Sequence, residues 1–455
     1  MEPRRRDQRV DVLSRAQASG ETGRAIVIEP WVRSGPSRTG TAREAGEART
    51  PEARLAEAVG LARAIDLNVV VEGLVTLTAI RPATYIGKGK VDEIAGLVKT
   101  HDASIVVMDC PVSPVQQRNL EKAWNAKVLD RTGLILEIFG RRARTREGAL
   151  QVELAHLSYQ KTRLVRAWTH LERQRGGYGF LGGPGETQIE ADRRAIDERI
   201  ARIETELDRV KRTRKLHRDS RKRVPYPIVA LVGYTNAGKS TLFNRMTAAR
   251  VLSADMLFAT LDPTLRAVDL PHGNRAIFSD TVGFISELPT MLVAAFRATL
   301  EEVIEADIIL HVRDMSHADA AAQSQDVEKV LGELGIAASD PRLIEVWNKI
   351  DRLDAEGRAR LVNLADRQPA ERRPVLVSAA TGEGLELLGE AIEQRLAQSR
   401  QTLAVSLDAT DGAGLSWLYR HAEVLSKDVA DDGRMRVTVR ADADKAAQLK
   451  AKFGV

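Results

Sequence analysis

The sequence predicts an α/β protein of more than one domain. Strand-like and helix-like apolar patterns alternate over residues 25–130, and strand-like runs recur between residues 228 and 377. Two helical stripes flank a glycine-rich stretch at residues 176–185. The length of 455 residues also exceeds the roughly 250 to 300 residues that one hydrophobic core usually holds. We therefore expect a small α/β subdomain, a long antiparallel helical hairpin, a larger domain with a mostly parallel sheet and helices on both faces, and a small α/β C-terminal module.

Charge, cysteine content and the length of apolar runs limit the classes of protein to which this sequence can belong. The net charge of +5 hides basic clusters at the N-terminus, at residues 141–146 and at 211–223, which suit a polyanionic partner or a solvated helix face. The single cysteine, Cys110, excludes an intrachain disulfide and fits a reducing compartment. No apolar run reaches the roughly 18 to 20 residues of a membrane span, and residues 1–9 do not lead into a signal peptide. We expect a cytoplasmic protein without transmembrane association.

The N-terminal region is predicted to begin with disorder. Residues 1–22 and 34–50 are poor in large apolar side chains, so we expect both segments to be flexible. The patterns that follow predict strands at 25–31, 68–75, 103–108 and 127–130, and helices at 54–64, 91–99 and 114–125. This alternation indicates a parallel α/β subdomain over about residues 23–140.

Two apolar stripes come next, and their three-and-four spacing is typical of packed helices. The first comprises Leu150, Leu154, Leu157 and Leu164, and the second Ile189, Ile196, Ile200, Ile203, Leu207 and Val210. Glycines and Pro184 interrupt the helical pattern between them, which predicts an antiparallel hairpin over about residues 141–224. At its tip Arg173, Arg175, Tyr178 and Phe180 combine cations with rings that can stack on RNA bases. The rings can equally fold back onto the domain, so both interpretations stay open.

A phosphate-binding loop is predicted directly after the strand at residues 228–232. Gly233-Tyr234-Thr235-Asn236-Ala237-Gly238-Lys239-Ser240 follows that strand, and a helical pattern begins at Thr241. Glycines let backbone N–H groups converge on phosphates at a helix N-terminus, where the dipole favours negative charge. Lys239 would neutralise the outer phosphates, and the Ser240 hydroxyl would bind Mg²⁺.

Three later motifs indicate that the nucleotide is GTP. Asp280-Thr281-Val282-Gly283 ends a strand and offers a carboxylate to Mg²⁺ through water and a glycine N–H to the terminal phosphate. Asn348-Lys349-Ile350-Asp351 ends another strand, and a carboxylate there accepts from the N1–H and amine of guanine, donors that adenine does not offer. Ser378-Ala379-Ala380 can meet the guanine oxygen through its backbone. Four ordered motifs at strand ends predict a P-loop GTPase domain.

The segment between the first two motifs is expected to be a switch. A mobile threonine there should close on Mg²⁺ and the terminal phosphate, and we prefer Thr260 to Thr264. Phe284 follows Gly283 where many GTPases carry a glutamine that orients water. Because phenylalanine cannot hydrogen-bond water, we expect slow hydrolysis until a partner completes the site.

The predicted site residues fall into three overlapping sets. The catalytic candidates are Lys239, Thr260 and Gly283, and the magnesium candidates are Ser240, Thr260 and Asp280. The candidates for binding GTP are Gly233, Tyr234, Thr235, Asn236, Ala237, Gly238, Lys239, Ser240, Thr241, Asp280, Gly283, Asn348, Lys349, Asp351, Ser378, Ala379 and Ala380. The tail predicts a βαβα module, with strands at 403–407 and 435–440 and helices at 414–424 and 442–451.

Four segments together resemble the HflX family of translation-associated GTPases. They are GFLGGPGETQIEADRR (179–194), GYTNAGKSTLFN (233–244), FATLDPT (258–264) and DTVGFI (280–285). The resemblance implies an N-terminal domain over residues 23–224 that contacts ribosomal RNA and a GTPase domain over 225–398, followed by a small domain over 399–455. It also implies binding to the large ribosomal subunit and GTP-dependent splitting or rescue of idle or stalled ribosomes.

Two other functions stay open. The first is a regulatory G protein that acts on a protein partner or at an anionic membrane surface, which the basic clusters could contact peripherally. The second is an ATP-dependent RNA remodeller. We expect a monomer that binds GTP or GDP with Mg²⁺.

Overall fold

The fold is known from a computed structural model that describes most of the chain. The described residues are 23–32, 49–174, 184–221, 226–247, 257–258, 260–261, 263–286, 297–408, 410–429 and 434–454. The disorder predicted for residues 1–22 lies outside them, as do Arg175, Tyr178 and Phe180 of the predicted RNA contact. Arg173 lies in a described helix, but its side chain does not belong to the described part.

The N-terminal subdomain is a four-stranded parallel sheet with helices between the strands. Its elements are β1 (Arg24–Val32), α1 (Pro51–Arg63), β2 (Asn68–Leu77), α2 (Lys88–His101), β3 (Ile105–Met108), α3 (Pro114–Trp124), β4 (Lys127–Asp130) and α4 (Arg131–Arg142). The strand order is β2-β1-β3-β4, and every pair is parallel. The predicted α/β class is confirmed.

Two details of this subdomain differ from the prediction. Helix α4 was not predicted, because it begins directly after β4: Asp130 ends the strand and also caps the helix by accepting from Gly133 N. Arg49 and Thr50 were assigned to a flexible segment, which is wrong for these two residues. The Thr50 hydroxyl accepts a hydrogen bond from Ala53 N at 3.2 Å and caps α1, and Arg49 is held by ion pairs.

The hairpin consists of α5 (Arg146–Gln174) and α6 (Pro184–Arg221). Ion pairs at Arg146–Glu206 (3.3 Å) and Glu153–Arg199 (2.8 Å) show that residue numbers rise in one helix as they fall in the other. Leu150 packs with Ile203 and Leu207 at the centre of the contact. The predicted stripes therefore meet each other in an antiparallel pair.

The larger α/β domain contains a six-stranded sheet. Its elements are β5 (Ile228–Gly233), α7 (Lys239–Thr247), β6 (Thr264–Asp269), β7 (Arg275–Asp280), α8 (Arg297–Ile304), β8 (Ile308–Asp314), α9 (Ala320–Glu333), β9 (Leu343–Asn348), α10 (Ala355–Asp366), β10 (Val375–Leu376) and α11 (Leu385–Ser399). The strand order is β10-β9-β8-β5-β7-β6, and β6 is the antiparallel edge strand. All other pairs are parallel.

Side chains of β5 show why helices cover both faces of this sheet. Val229 and Leu231 pack in one core with α7 and α11, whereas Ala230 and Val232 pack in another with α8 and α9. A strand that is apolar on both faces must be covered by helices on both. In sheets of this kind ligands bind at the C-terminal ends of the strands, which the helices leave accessible.

The C-terminal module corrects the predicted βαβα order. Its elements are β11 (Arg400–Asp408), α12 (Gly412–His421), β12 (Glu423–Val429), β13 (Arg434–Asp442) and α13 (Ala443–Phe453). Strand β12 was missed, and the predicted helix ran too far, to Val424. β12 is an edge strand with a register shift between Val424 and Ser426, so it lacks the regular alternation that marks a strand. Among the described helices, none has the length and apolar character needed to cross a membrane.

Candidate nucleotide-binding site

The predicted phosphate loop connects β5 to α7. Gly238 adopts φ +95°, and a Cβ atom there would lie 2.3 Å from Asn348 Nδ2, so this position requires glycine. Lys239 Nζ donates to the carbonyl oxygens of Gly233 at 3.1 Å and Tyr234 at 2.7 Å. Burial lowers the pKa of Lys239 to about 8, although Asp280 opposes the shift. A bound phosphate would raise the pKa of this lysine again, because a nearby anion favours the charged form.

Three oxygen-bearing side chains converge beside the start of α7. Asp280 Oδ2 accepts from Ser240 Oγ at 2.7 Å and from Thr260 Oγ1 at 2.9 Å, and the two hydroxyl oxygens lie 2.9 Å apart. Burial raises the pKa of Asp280, and its Oδ1 is buried without a hydrogen-bond partner among the described residues. Thr264 instead lies in β6, where its backbone is paired with Asp280. The geometry therefore places Thr260, and not Thr264, with the other two side chains.

This arrangement fits a magnesium ion. Mg²⁺ prefers oxygen ligands in an octahedron, in which neighbouring ligand atoms are about 3 Å apart. The separations of 2.7 to 2.9 Å between the three oxygens match that spacing. The orphaned Asp280 Oδ1 could accept from a water on the ion. The donor set contains no nitrogen or sulfur atom that would favour a different metal.

The segment after β7 lies against the phosphate loop. Thr235 N donates to Phe284 O at 2.7 Å, and Phe284 N donates to Gly233 O at 3.1 Å. A Cβ atom on Gly283 would lie 2.8 Å from Thr235 Cα and 3.0 Å from Lys239 Nζ. The ring of Phe284 is 2% exposed and packs in the core, so it cannot orient water.

The predicted base-reading residues form the other end of the cleft. Asn348 Nδ2 donates to Ala237 O at 2.8 Å, and Asn348 Oδ1 accepts from Ala379 N at 3.0 Å. Ser378 Oγ donates to Asp351 Oδ1 at 2.6 Å, which orients the exposed carboxylate. Lys349 pairs with Asp314 at 2.7 Å. Asn348 thus connects the phosphate loop to the turn at Ala379.

The remaining predicted residues lie on the same edge of the sheet. Asn236 is exposed with φ +61°, Thr241 follows Ser240 in the first turn of α7, and Ala380 O accepts from Arg245 at 2.5 Å. The structure brings together all the residues predicted to bind the nucleotide. Their individual roles stay predictions.

A polar cluster between the two α/β domains was missed by the sequence analysis. This interdomain cluster consists of Arg49, Glu57, Arg131, Tyr234 and Ser286. Tyr234, in the phosphate loop, donates to Glu57 and accepts from Ser286 N at 2.8 Å. Arg131 donates to Glu57 and to Ser286 O at 2.9 Å. The N-terminal subdomain thus contacts both the phosphate loop and the segment after Gly283.

Ion pairs stabilise the charged side chains of the interdomain cluster. Burial alone would raise the pKa of Glu57, but Arg131 and Arg49 outweigh burial and lower it below its usual value. Arg131 also binds both oxygens of Asp109, at 2.7 and 2.9 Å, and Arg49 pairs with Asp326 at 2.7 Å. Nothing local in the sequence marks these residues, because their partners lie up to 277 positions away.

Apolar contacts reinforce the same interface. The rings of Phe139, in α4, and Phe258, in the predicted switch, lie 4.9 Å apart edge to face. Both belong to a single buried core that also contains Phe284 and Ile285. The two segments predicted to respond to the terminal phosphate therefore both pack against the N-terminal subdomain.

Comparison with known proteins gives the family. Residues 52–140 match the family described as GTP-binding GTPase N-terminal, 142–221 the GTP-binding GTPase middle region, 228–349 the 50S ribosome-binding GTPase, and 363–455 the HflX C-terminal domain. GTPase HflX of Magnetococcus marinus is 50% identical over 378 residues, which cover 83% of this chain and 86% of that protein. GTPase HflX of Escherichia coli is 47% identical over 377 residues, covering 81% and 86%.

A solved structure is also similar. The crystal structure of a GTP-binding protein from Sulfolobus solfataricus in complex with GDP covers 83% of this chain and 99% of its own, with 22% identity and a TM-score of 0.43. The assignment rests on the sequence relatives and the four matched domains. The chain belongs to the HflX family of GTP-hydrolysing enzymes.

Proposed function

We propose that this GTPase binds GTP and Mg²⁺ in the cleft described above, associates with the large ribosomal subunit, and uses the GTP-bound state to split or rescue idle or stalled ribosomes. One observation supports the nucleotide assignment above the others. Asn348 bonds to the phosphate loop at Ala237 and to the turn at Ala379, so phosphate-binding and base-reading groups share one cleft.

Each residue in the cleft has a proposed task. Lys239 holds the outer phosphates, while Ser240, Thr260 and Asp280 hold Mg²⁺, which neutralises charge on those phosphates. The Gly283 N–H meets the terminal phosphate. Asp351 accepts from the two donors of guanine, and adenine would leave this carboxylate unpaired.

Access for the terminal phosphate requires the Gly283 segment to move. Gly283 packs against Thr235 and close to Lys239 Nζ, where the terminal phosphate would have to lie. The interdomain cluster holds Ser286, three residues further on, so this movement also changes contacts with the N-terminal subdomain. GTP binding and domain arrangement are therefore linked in the proposed cycle.

Two features support a ribosomal partner. Residues 228–349 match a family described as 50S ribosome-binding GTPase, and the chain carries basic clusters at residues 141–146 and 211–223. Ribosomal RNA is a dense polyanion, which Lys and Arg contact through its phosphates. We propose that Arg173, Arg175, Tyr178 and Phe180 contact the RNA of this partner.

Sedimentation tests the ribosomal assignment. The full chain should cosediment with isolated large subunits when loaded with a non-hydrolysable GTP analogue, and less when loaded with GDP. Anionic vesicles provide the comparison for the alternative function as a regulatory G protein at a membrane. Binding to vesicles but not to large subunits would contradict our proposal.

Catalysis is proposed to be slow until the partner binds. Phe284 is buried and cannot orient the attacking water, so another group must do so. Phosphate release by the chain alone should therefore rise when large subunits are added. A turnover rate that stays unchanged with subunits, under conditions where binding is measured, would refute this part of the proposal.

A further inference from the structure

A group of three side chains of the types that bind metals lies outside the nucleotide cleft. His311 is in the middle of β8, Glu345 is in the neighbouring strand β9, and Glu328 is in α9, which covers these strands. One ligand atom of each side chain lies within 4.8 Å of the other two. In the part of the chain that the structure describes, no other set of three His, Cys, Asp or Glu side chains is so close.

His311 is the unusual member of this group. It is only 1% exposed, and neither Nδ1 nor Nε2 has a hydrogen-bond partner among the described residues. A neutral imidazole has one donor and one acceptor, and burying both without partners is unfavourable. An imidazole nitrogen that is buried without a hydrogen-bond partner is available to bind a metal ion.

Both carboxylates are oriented through one oxygen atom only. Glu345 Oε2 accepts from Arg313 at 3.0 Å and from Trp347 Nε1 at 2.9 Å, and Glu328 Oε1 accepts from Ser324 Oγ at 2.9 Å. The second oxygen of each carboxylate accepts no hydrogen bond from the described residues. Metal ligands are commonly oriented by such outer hydrogen bonds.

Charge and donor type indicate which ion would fit. Because an imidazole that binds a metal is neutral, the two carboxylates and Arg313 leave the group with a net negative charge. One nitrogen and two oxygen donors favour a first-row transition metal over Mg²⁺ or Ca²⁺, which prefer oxygen alone. We propose that His311, Glu328 and Glu345 form a binding site for a divalent transition-metal ion of the Zn²⁺ class, with water as a further ligand.

The site can be reached and closed by small movements. The side chain of Glu345 is 28% exposed, so an ion can enter from solvent past this residue. Ligand atoms in a tetrahedral shell lie about 3.3 Å apart, given Zn–N and Zn–O distances of about 2.0 Å. In the structure the three ligand atoms lie within 4.8 Å of one another. Binding an ion therefore requires these atoms to move closer together, which rotation of the side chains can supply.

Its position suggests that the metal stabilises the GTPase domain. His311 is paired in the sheet with Val232, directly before the phosphate loop. A metal bound to His311, Glu328 and Glu345 would connect α9 to two central strands. It should therefore raise the thermal stability of the folded state.

Metal titration of the full chain tests the proposal. The protein is stripped with a chelator and then saturated with GDP and Mg²⁺, so that the magnesium position in the nucleotide cleft is blocked. Co²⁺ or Zn²⁺ is then added, and bound metal is measured by equilibrium dialysis together with the visible absorption of Co²⁺. We expect one saturable site per chain and a higher midpoint of thermal unfolding.

Substitutions identify the ligands. His311→Asn and Glu328→Gln should each weaken Co²⁺ binding at least about tenfold and remove the thermal shift. His101→Asn, in α2, is the matched control and should leave both unchanged. Glu328 is only half-buried, so its variant provides a test if His311→Asn does not fold. No saturable binding by the wild type, or equal binding by the wild type and Glu328→Gln, would overturn the proposal.

Discussion

The two ends of the nucleotide cleft are supported in different ways. At the base end, Asn348, Asp351, Ser378 and Ala379 contact one another and the phosphate loop, all within the GTPase domain. At the phosphate end, the loop and the segment after Gly283 are also held by side chains of the N-terminal subdomain. Contacts within the GTPase domain therefore determine which base is bound. The geometry at the phosphates also depends on the position of the N-terminal subdomain.

The largest effect should come from removing the phosphate-binding cation. Lys239→Ala should reduce GTP hydrolysis on the order of 10³-fold, because Lys239 is the cation that the phosphate loop itself supplies to neutralise the outer phosphates. The measurement is phosphate release at saturating GTP. Lys90→Ala, on an exposed surface of α2, is the control. ATP hydrolysis that persisted in Lys239→Ala would instead favour an ATP-dependent RNA remodeller.

Substituting Asp351, the residue predicted to recognise guanine, should affect only the base end of the cleft. Asp351→Asn should weaken GTP binding on the order of 10²-fold and improve binding of xanthosine triphosphate, whose base has an acceptor where guanine has its amine. Affinity is measured by competition with a fluorescent nucleotide. Asp366→Asn, at an exposed ion pair, serves as the control. An unchanged order of preference would show that Asp351 does not read the base.

The stability of the N-terminal subdomain, which supports the phosphate end, should depend on pH. Burial first, and then Asp109, raise the pKa of Glu29 to about 8 from 4.5. The folded state therefore holds a proton that the unfolded state releases, and the contribution of Glu29 to stability is full below pH 4.5 and is lost as pH rises from 4.5 through about 8. The slope should approach about 1 kcal/mol per pH unit near neutrality.

Chemical unfolding at several pH values measures this slope. Glu29→Gln should flatten it, because an amide does not titrate. The control is Glu52→Gln in α1, an exposed residue whose variant should keep the wild-type slope. Identical slopes in wild type and Glu29→Gln would assign the pH dependence to other groups.

The smallest effect is expected from substituting Glu57, and it tests most directly whether the N-terminal subdomain supports the phosphate end and not the base end. Glu57→Gln weakens the charge interactions with Arg131 and Arg49 and loosens the hold on Tyr234 and Ser286. Release of the Gly283 segment should raise the affinity for GTP relative to GDP about fivefold. Guanine should still be preferred over xanthine as in the wild type.

Nucleotide titrations with the triphosphate and diphosphate of both bases measure these quantities together. Thermal unfolding is recorded in parallel, because removing one partner of a buried ion pair also lowers stability. A changed preference between guanine and xanthine, with an unchanged ratio of the affinities for GTP and GDP, would contradict our conclusion that the base end and the phosphate end are supported separately.

Much of the fold could be predicted because its signals are local. Apolar strands alternating with amphipathic helices predicted one parallel and one mostly parallel sheet, and paired leucine and isoleucine stripes predicted the hairpin. Helix α4 and strand β12 were missed for a physical reason. The first follows β4 with no turn between them, so no break in the sequence marks where it begins, and the second is an exposed edge strand with an irregular register.

The nucleotide-binding motifs could also be predicted from the sequence, since a phosphate loop needs glycines, a lysine and a hydroxyl residue at fixed positions within one short segment. The sequence by itself determined these motifs and their order along the chain. Only the tertiary structure decided that Thr260 and not Thr264 meets Asp280, that Arg131 reaches Ser286, and that His311 lies near two glutamates. These contacts join residues from separate elements. No periodic pattern encodes them, because they depend on how the elements pack.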